Sequence, residues 1–220
     1  MKQIYVVRHG QTYINRFDKM QGWCDTPLTD KGIADAKRVG QVLAHVPFDI
    51  ALSSDTKRAS DTCDYIIQEN CNRDDLQHIA SPFFREQFYG YFEGMDQSLT
   101  WRMIGGPHGY PTRGELLRHF SIDEVKQFVV DADPYHAAET PAAYWKRIKQ
   151  GFKLIQELDG ADTILLVTHG CNIRSWAYKF GEKKFDIGIP PRNGSIMKML
   201  IDGQTIKVTS YNQMSLESEN

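Results

Sequence analysis

Apolar residues fall along this chain in two patterns. Three short runs have continuous apolar interiors and stop abruptly: 3–7 (QIYVV), 50–52 (IAL) and 163–168 (TILLVT). Such runs suit strands covered on both faces, which is the signature of a parallel sheet. Between them, apolar positions recur at helical spacing. Residues 30–46 carry Ile33, Ala36, Val39, Gly40 and Leu43 on one stripe. Residues 55–67 follow the second run, with Ser54 or Asp55 as the expected N-cap. Thr140-Pro141 has the order of a helix start, a capping residue and then proline in the first turn. Beyond it Tyr144, Ile148, Phe152 and Ile155 share a face. Strand alternating with helix predicts an α/β fold: a three-layer α/β/α arrangement around a mostly parallel central sheet, with right-handed crossovers.

Residues 92–139 break that rhythm. GGPHGYPTRG, 105–114, is loop chemistry. SIDE, 121–124, has the form of a capping box ahead of Val125, Phe128 and Val129. A small, mostly helical insertion with a flexible lip is expected here, a cap over the active site within a single domain spanning 1–220. The terminal SLESEN is expected to fray.

Composition narrows the classes. The chain has 220 residues, 41% of them hydrophobic, enough for one sizeable core. A net charge of -2 argues against nucleic acid and membrane surfaces as partners. Four cysteines without a CxxC pair suggest reduced thiols and a cytoplasmic location. The first apolar stretch is too short for a signal peptide, and no run reaches membrane-spanning length. Asn193-Gly194-Ser195 is expected to be a turn rather than a glycan site. A homodimer is left open.

Candidate chemistry sits where the apolar runs end. The first run meets Arg8-His9-Gly10, the second Ser53-Ser54-Asp55 with Arg58 one helical turn on, and the third His169-Gly170. Ligands gather at the carboxyl ends of parallel strands. Taken singly, these residues are ordinary: a loop histidine, a solvated helix arginine, a capping aspartate. Together, two histidines and two arginines converging imply a common anion. A metal site would join its imidazoles to carboxylates or thiolates, whereas arginines repel a divalent cation, so no metal is expected. Guanidinium forks match phosphate oxygens. GxxxxGK[ST] and GxGxxG are both absent, which points to a phosphoryl group held by side chains.

Ordered blocks extend this pattern: RHGQT (8–12), Asn15, QGWCDTPLTDKG (21–32), SSDTKRASDT (53–62), REQFYGYFEG (85–94) and VTHG (167–170). Together they resemble the histidine phosphatase superfamily, which includes cofactor-dependent phosphoglycerate mutase. The resemblance implies that His9 is a nucleophile that becomes transiently phosphorylated. Arg8, Arg58 and His169 would surround the transferring group. Glu86 would protonate the leaving oxygen and later deprotonate water. Asn15, Gln21, Gly22, Tyr89 and Gly170 would bind substrate. No cofactor is implied, and the partner is a small phosphorylated substrate.

The family's mutases carry an arginine after the catalytic glutamate, where this chain has Gln87. They also carry a lysine and a pair of adjacent arginines in the insertion. Here Arg102, Arg113 and Arg118 stand singly among Trp101, His108, Tyr110, His119 and Phe120. A metal-independent phosphomonoester hydrolase is therefore favoured over a phosphoglycerate mutase. A non-catalytic phosphate-binding module is the alternative from another class. Phe83, Phe84, Phe88, Tyr91 and Phe92 are expected mainly in the core.

Overall fold

The computed structural model describes residues 1–216. In chain order the strands are β1 (Lys2–Arg8), β2 (Ile50–Ser54), β3 (His78–Ser81), β4 (Thr163–Thr168), β5 (Ile196–Asp202) and β6 (Thr205–Val208). The helices are α1 (Tyr13–Arg16), α2 (Asp30–Val42), α3 (Lys57–Gln68), α4 (Gln97–Gly105), α5 (Arg113–His119), α6 (Ile122–Ala132), α7 (Pro141–Gln156) and α8 (Gly170–Phe180). The strands form one sheet in the order β3-β2-β4-β1-β5-β6. The first four in that order pair in parallel. β5 joins β1, and β6 joins β5, antiparallel. The sheet is mostly parallel, as expected, with an antiparallel edge added.

The period-two geometry of a strand sends alternate residues to opposite faces. Tyr5 and Val7 therefore pack with Val39, Leu43, Ala59 and Ile66 of α2 and α3. Ile4 and Val6 face the other way, into a larger core with Tyr144, Ile148, Phe152 and Trp176 of α7 and α8. Helices cover both faces, giving the three layers. The segment between β3 and α7 joins the larger core through Trp101, Ile104, Leu116, Val125 and Val129.

Some local expectations are corrected. α2 stops at Val42, four residues short of 46, with Leu43 as its C-cap. The N-cap of α3 is Thr56, without a side-chain cap bond. Ser54 is instead the last residue of β2, and both Asp55 carboxylate oxygens accept from Arg85, at 2.7 and 2.6 Å. Much of 105–114 is regular structure rather than loop: it closes α4, passes through a 3-10 turn at Gly106–His108 and enters α5. Asn193-Gly194 is a turn, with Gly194 at φ 66°. The four cysteines are unpaired. Of the terminal SLESEN, residues 217–220 lie outside the described residues. Among those described, no helix is long and apolar enough to cross a membrane.

Candidate active site

Sheet register brings the two histidines together. Arg8 pairs with Thr168 across β1 and β4, so His9 and His169 each stand one residue past the same rung. The His9 amide donates to the Thr168 carbonyl at 3.0 Å. Their rings lie 5.2 Å apart, both buried. At Gly10 an added Cβ would fall 2.2 Å from the Gly32 carbonyl oxygen, so glycine is required where the chain leaves β1 against α2.

Hydrogen bonding defines the His9 tautomer. Nδ1 lies 2.8 Å from the Gly10 carbonyl, which can only accept. The proton is therefore on Nδ1, and Nε2 carries the lone pair. Arg58 Nε donates toward that Nε2 at 3.4 Å. Burial, then the charges of Arg58 and Arg8, hold His9 well below the usual histidine range, so the imidazole is neutral. His169 is also held low, by burial and then by Arg58 and His9.

Arg58 is the hub, although it is wholly buried. Its Nη2 donates to the Gly22 carbonyl at 2.6 Å and to His169 Nδ1 at 3.1 Å. Its Nη1 donates to the Cys24 carbonyl at 2.9 Å and to Asp25 at 3.0 Å. Arg8 is anchored on the Pro191 carbonyl at 2.5 Å, and its Nε has no partner among the described residues. Gly170 allows its close approach, since a Cβ there would sit 3.3 Å from Arg8 Nε.

Glu86 is 5% exposed. Its Oε2 accepts from the Cys171 amide at 2.8 Å, and its Oε1 from the Gln87 amide at 3.0 Å. Its backbone carbonyl is fixed by Trp23 Nε1 at 2.8 Å and Arg147 Nη2 at 3.1 Å.

A cleft of about 340 Å³ opens in front of these groups, with Arg8, His9, Glu86, Tyr89 and Gly170 on its wall. Asn15 and Gln21 also line it. Gln21 Oε1 accepts from Thr12 at 2.7 Å and Asn15 at 3.2 Å, which leaves Nε2 without a partner. Gly22 is placed differently. Its N–H donates to Glu93 at 3.0 Å and its carbonyl accepts from Arg58, so neither backbone group is left for a substrate. Arg58 and His169 are wholly buried against His9 and do not line the cleft.

The cleft also shows one arginine that sequence reasoning passed over and one that it read only as a single charge of the insertion. Arg174 lines it, 5% exposed, with Nε unpartnered. Burial and then the charge of Arg113 pull its guanidinium down to about 10. Arg113 lines it too, stacked over Trp101 at 5.0 Å and donating to Tyr89 Oη at 3.2 Å. The available signal was helical spacing: Arg174 lies four residues after Gly170, on the same face of α8. A neutral imidazole whose Nε2 lone pair meets only a long contact from Arg58 can attack, and the cations and unpartnered donors around it can stabilise a tetrahedral oxyanion.

Known proteins share this fold. A phosphoglycerate mutase of Bacillus anthracis has a crystal structure that superposes with a TM-score of 0.87 at 31% identity, covering 97% of this chain and 93% of that one. A 2,3-bisphosphoglycerate-dependent phosphoglycerate mutase of Gloeobacter violaceus is 28% identical over 184 residues, 80% of this chain and 74% of that protein. An adenosylcobalamin/alpha-ribazole phosphatase of Salmonella typhimurium is 38% identical over 143 residues, 60% of this chain and 68% of that protein. The family model that matches residues 4–214 is the histidine phosphatase superfamily, branch 1, and the chain belongs to it.

Proposed function

We propose that the chain hydrolyses phosphomonoesters through a phosphohistidine on His9, without a metal ion. The observation that carries this reading is the His9 tautomer: the Gly10 carbonyl holds the proton on Nδ1 and leaves Nε2 as the nucleophile. In the first step, Nε2 forms a bond to phosphorus as the phosphorus–oxygen bond to the alcohol breaks, and Glu86 gives the leaving oxygen its proton. In the second, Glu86 takes a proton from water, which attacks phosphorus and returns free imidazole and inorganic phosphate. Arg8 supplies positive charge to the transferring oxygens from the cleft wall, and Arg58 and His169 act from beside His9. Preorganised donors of this kind are commonly the largest catalytic contribution.

Hydrolysis is favoured over transfer by Gln87. Its uncharged amide is buried, with Oε1 3.4 Å from Cys171 Sγ, and it brings no cation beside Glu86. Mutase activity is supported as a second reading by Arg113 and Arg174, which make the cleft more basic than the single arginines of the insertion implied. Incubation with a labelled aryl phosphate in chelator, followed by quenching under alkaline conditions that preserve phosphohistidine, tests the chemistry. The label should reside on His9, turnover should persist in chelator, and His9→Ala should abolish both. Phosphoglycerate interconversion far faster than phosphate release would establish the mutase reading. Phosphate binding without any label on His9 would mean a non-catalytic module.

A further inference from the structure

Arg58 aims at both histidines by gripping two backbone carbonyls, Gly22 and Cys24. Those carbonyls lie in a stretch, 22–25, that belongs to no helix or strand. Something else must hold the stretch still. The amides of Gly22, Trp23 and Cys24 all donate to the carboxylate of Glu93, each at 3.0 Å. A fourth amide, that of Tyr89, reaches the same carboxylate at 3.0 Å. Successive N–H groups turned onto one anion form a nest, and charge-assisted bonds of this kind are stronger than neutral ones.

Gly22 is part of the same device. An added Cβ there would fall 2.1 Å from Glu93 Oε1 and 2.3 Å from the Gln87 carbonyl. The carboxylate fits only because that position has no side chain. Trp23, held through its amide, returns its indole N–H to the Glu86 carbonyl at 2.8 Å. Glu93 thus binds the loop that positions Arg58 and the segment that carries the acid, from one point outside the cleft wall.

We propose that Glu93 is a positioning residue for phosphoryl transfer: its carboxylate gathers four backbone amides and so fixes the carbonyls that hold Arg58 against His9 and His169. This rests on the phosphoryl-transfer reading above. It adds a link that the catalytic groups alone do not contain, because Glu93 touches neither histidine and acts through Arg58.

Glu93→Gln keeps the shape but turns a donating amide toward N–H donors. Displacement of a catalytic group by about 1 Å can cost on the order of 10² in rate, so kcat/KM for an aryl phosphate should fall between about 10- and 100-fold. Loosening Arg58 removes a charge that disfavours the His9 imidazolium, so His9 should protonate at higher pH. The acid limb of kcat/KM should move toward neutral. Histidine-selective NMR titration reads the same change without turnover. It therefore separates failure of this proposal from failure of the hydrolase reading. In an Arg58→Ala background, Glu93→Gln should cost less than about threefold, the non-additivity expected of residues acting as a unit. Glu93→Asp, which keeps the charge but shortens the reach, should retain part of the activity. A lowered Tm with unchanged kcat and an unmoved His9 titration would overturn the proposal. Full additivity of Glu93→Gln with Arg58→Ala would do the same.

Discussion

Arg113 and Arg174 both line the cleft, and neither forms an ion pair among the described residues. Arg174 is buried and Arg113 half-buried, and withdrawing such groups from water without an anion is unfavourable. The Nε atoms of both are unpartnered, as is the Trp101 indole N–H. A substrate bearing a second acidic group beyond the reacting phosphate would satisfy them. A hydrogen bond to a charged group contributes about 1.5–3 kcal/mol, or about 10- to 100-fold in binding. Arg174→Met should therefore raise KM by about that factor for phosphomonoesters carrying a carboxylate, and leave a neutral aryl phosphate nearly unchanged. Steady-state kinetics on the two substrates make the comparison, and equal losses on both would count against an anion at this position. Arg174 was invisible as a candidate because a lone arginine on a helix is normally solvated, and only the cleft shows that this one is not. Gly22 misled in the opposite sense. The family resemblance implied a substrate-binding role for it, whereas its N–H is committed to Glu93, a backbone-to-side-chain bond across 71 residues that no local pattern announces.

At the scale of elements, the docking of β1 onto α2 places His9. The loop after β1 meets the first turn of α2: the Thr29 amide donates to the Gln11 carbonyl at 2.9 Å, and Thr29 Oγ1 accepts from Gly32 at 3.1 Å. An added Cβ at Gly32 would lie 2.0 Å from the Gln11 carbonyl oxygen, a backbone atom that cannot swing aside. Alanine in place of helical glycine would ordinarily gain about 1 kcal/mol, while forced overpacking costs about 1–3 kcal/mol. The clash wins because backbone must move, and that backbone continues from His9. Gly32→Ala should lower stability in urea unfolding and also reduce kcat; a variant as stable as the parent would refute the tight contact. Legibility followed burial on both faces. β1, β2 and β4 read as unbroken apolar runs because neighbours cover them. β3 and β6 are four-residue edge strands, and β5 carries Lys198 in mid-strand, so pairing across long sequence separation decides them. In the insertion, Ser121–Glu124 announced α6. Thr112 and Glu115 form an equal capping box at α5, but it was masked by the Gly-Pro-rich stretch before it.

For the whole molecule, burying two neutral histidines links stability to pH. His9 and His169 are held well below the ordinary value of 6.5, mainly by burial. Below about pH 6.5 the unfolded chain protonates both, while the folded protein keeps both neutral. The unfolded state then binds more protons, so stability rises with pH across this window and is lost as pH falls. Each such histidine contributes a slope of about 1.4 kcal/mol per pH unit. Carboxylates act elsewhere. Asp133, where backbone amides of Tyr135, Ala138, Tyr91 and Ala137 outweigh burial, sits below 3.8, and its contribution disappears only in stronger acid. Between about pH 6.5 and pH 5 the histidine effect should therefore be separable. Urea unfolding of the parent should weaken steadily over that range. His9→Gln should flatten the slope, and His9→Gln with His169→Gln should flatten it further, even where the variants are less stable at pH 7. Parallel slopes for parent and double variant would mean that the histidines are charged in the folded protein, which would leave Nε2 of His9 without its lone pair and the site without a nucleophile.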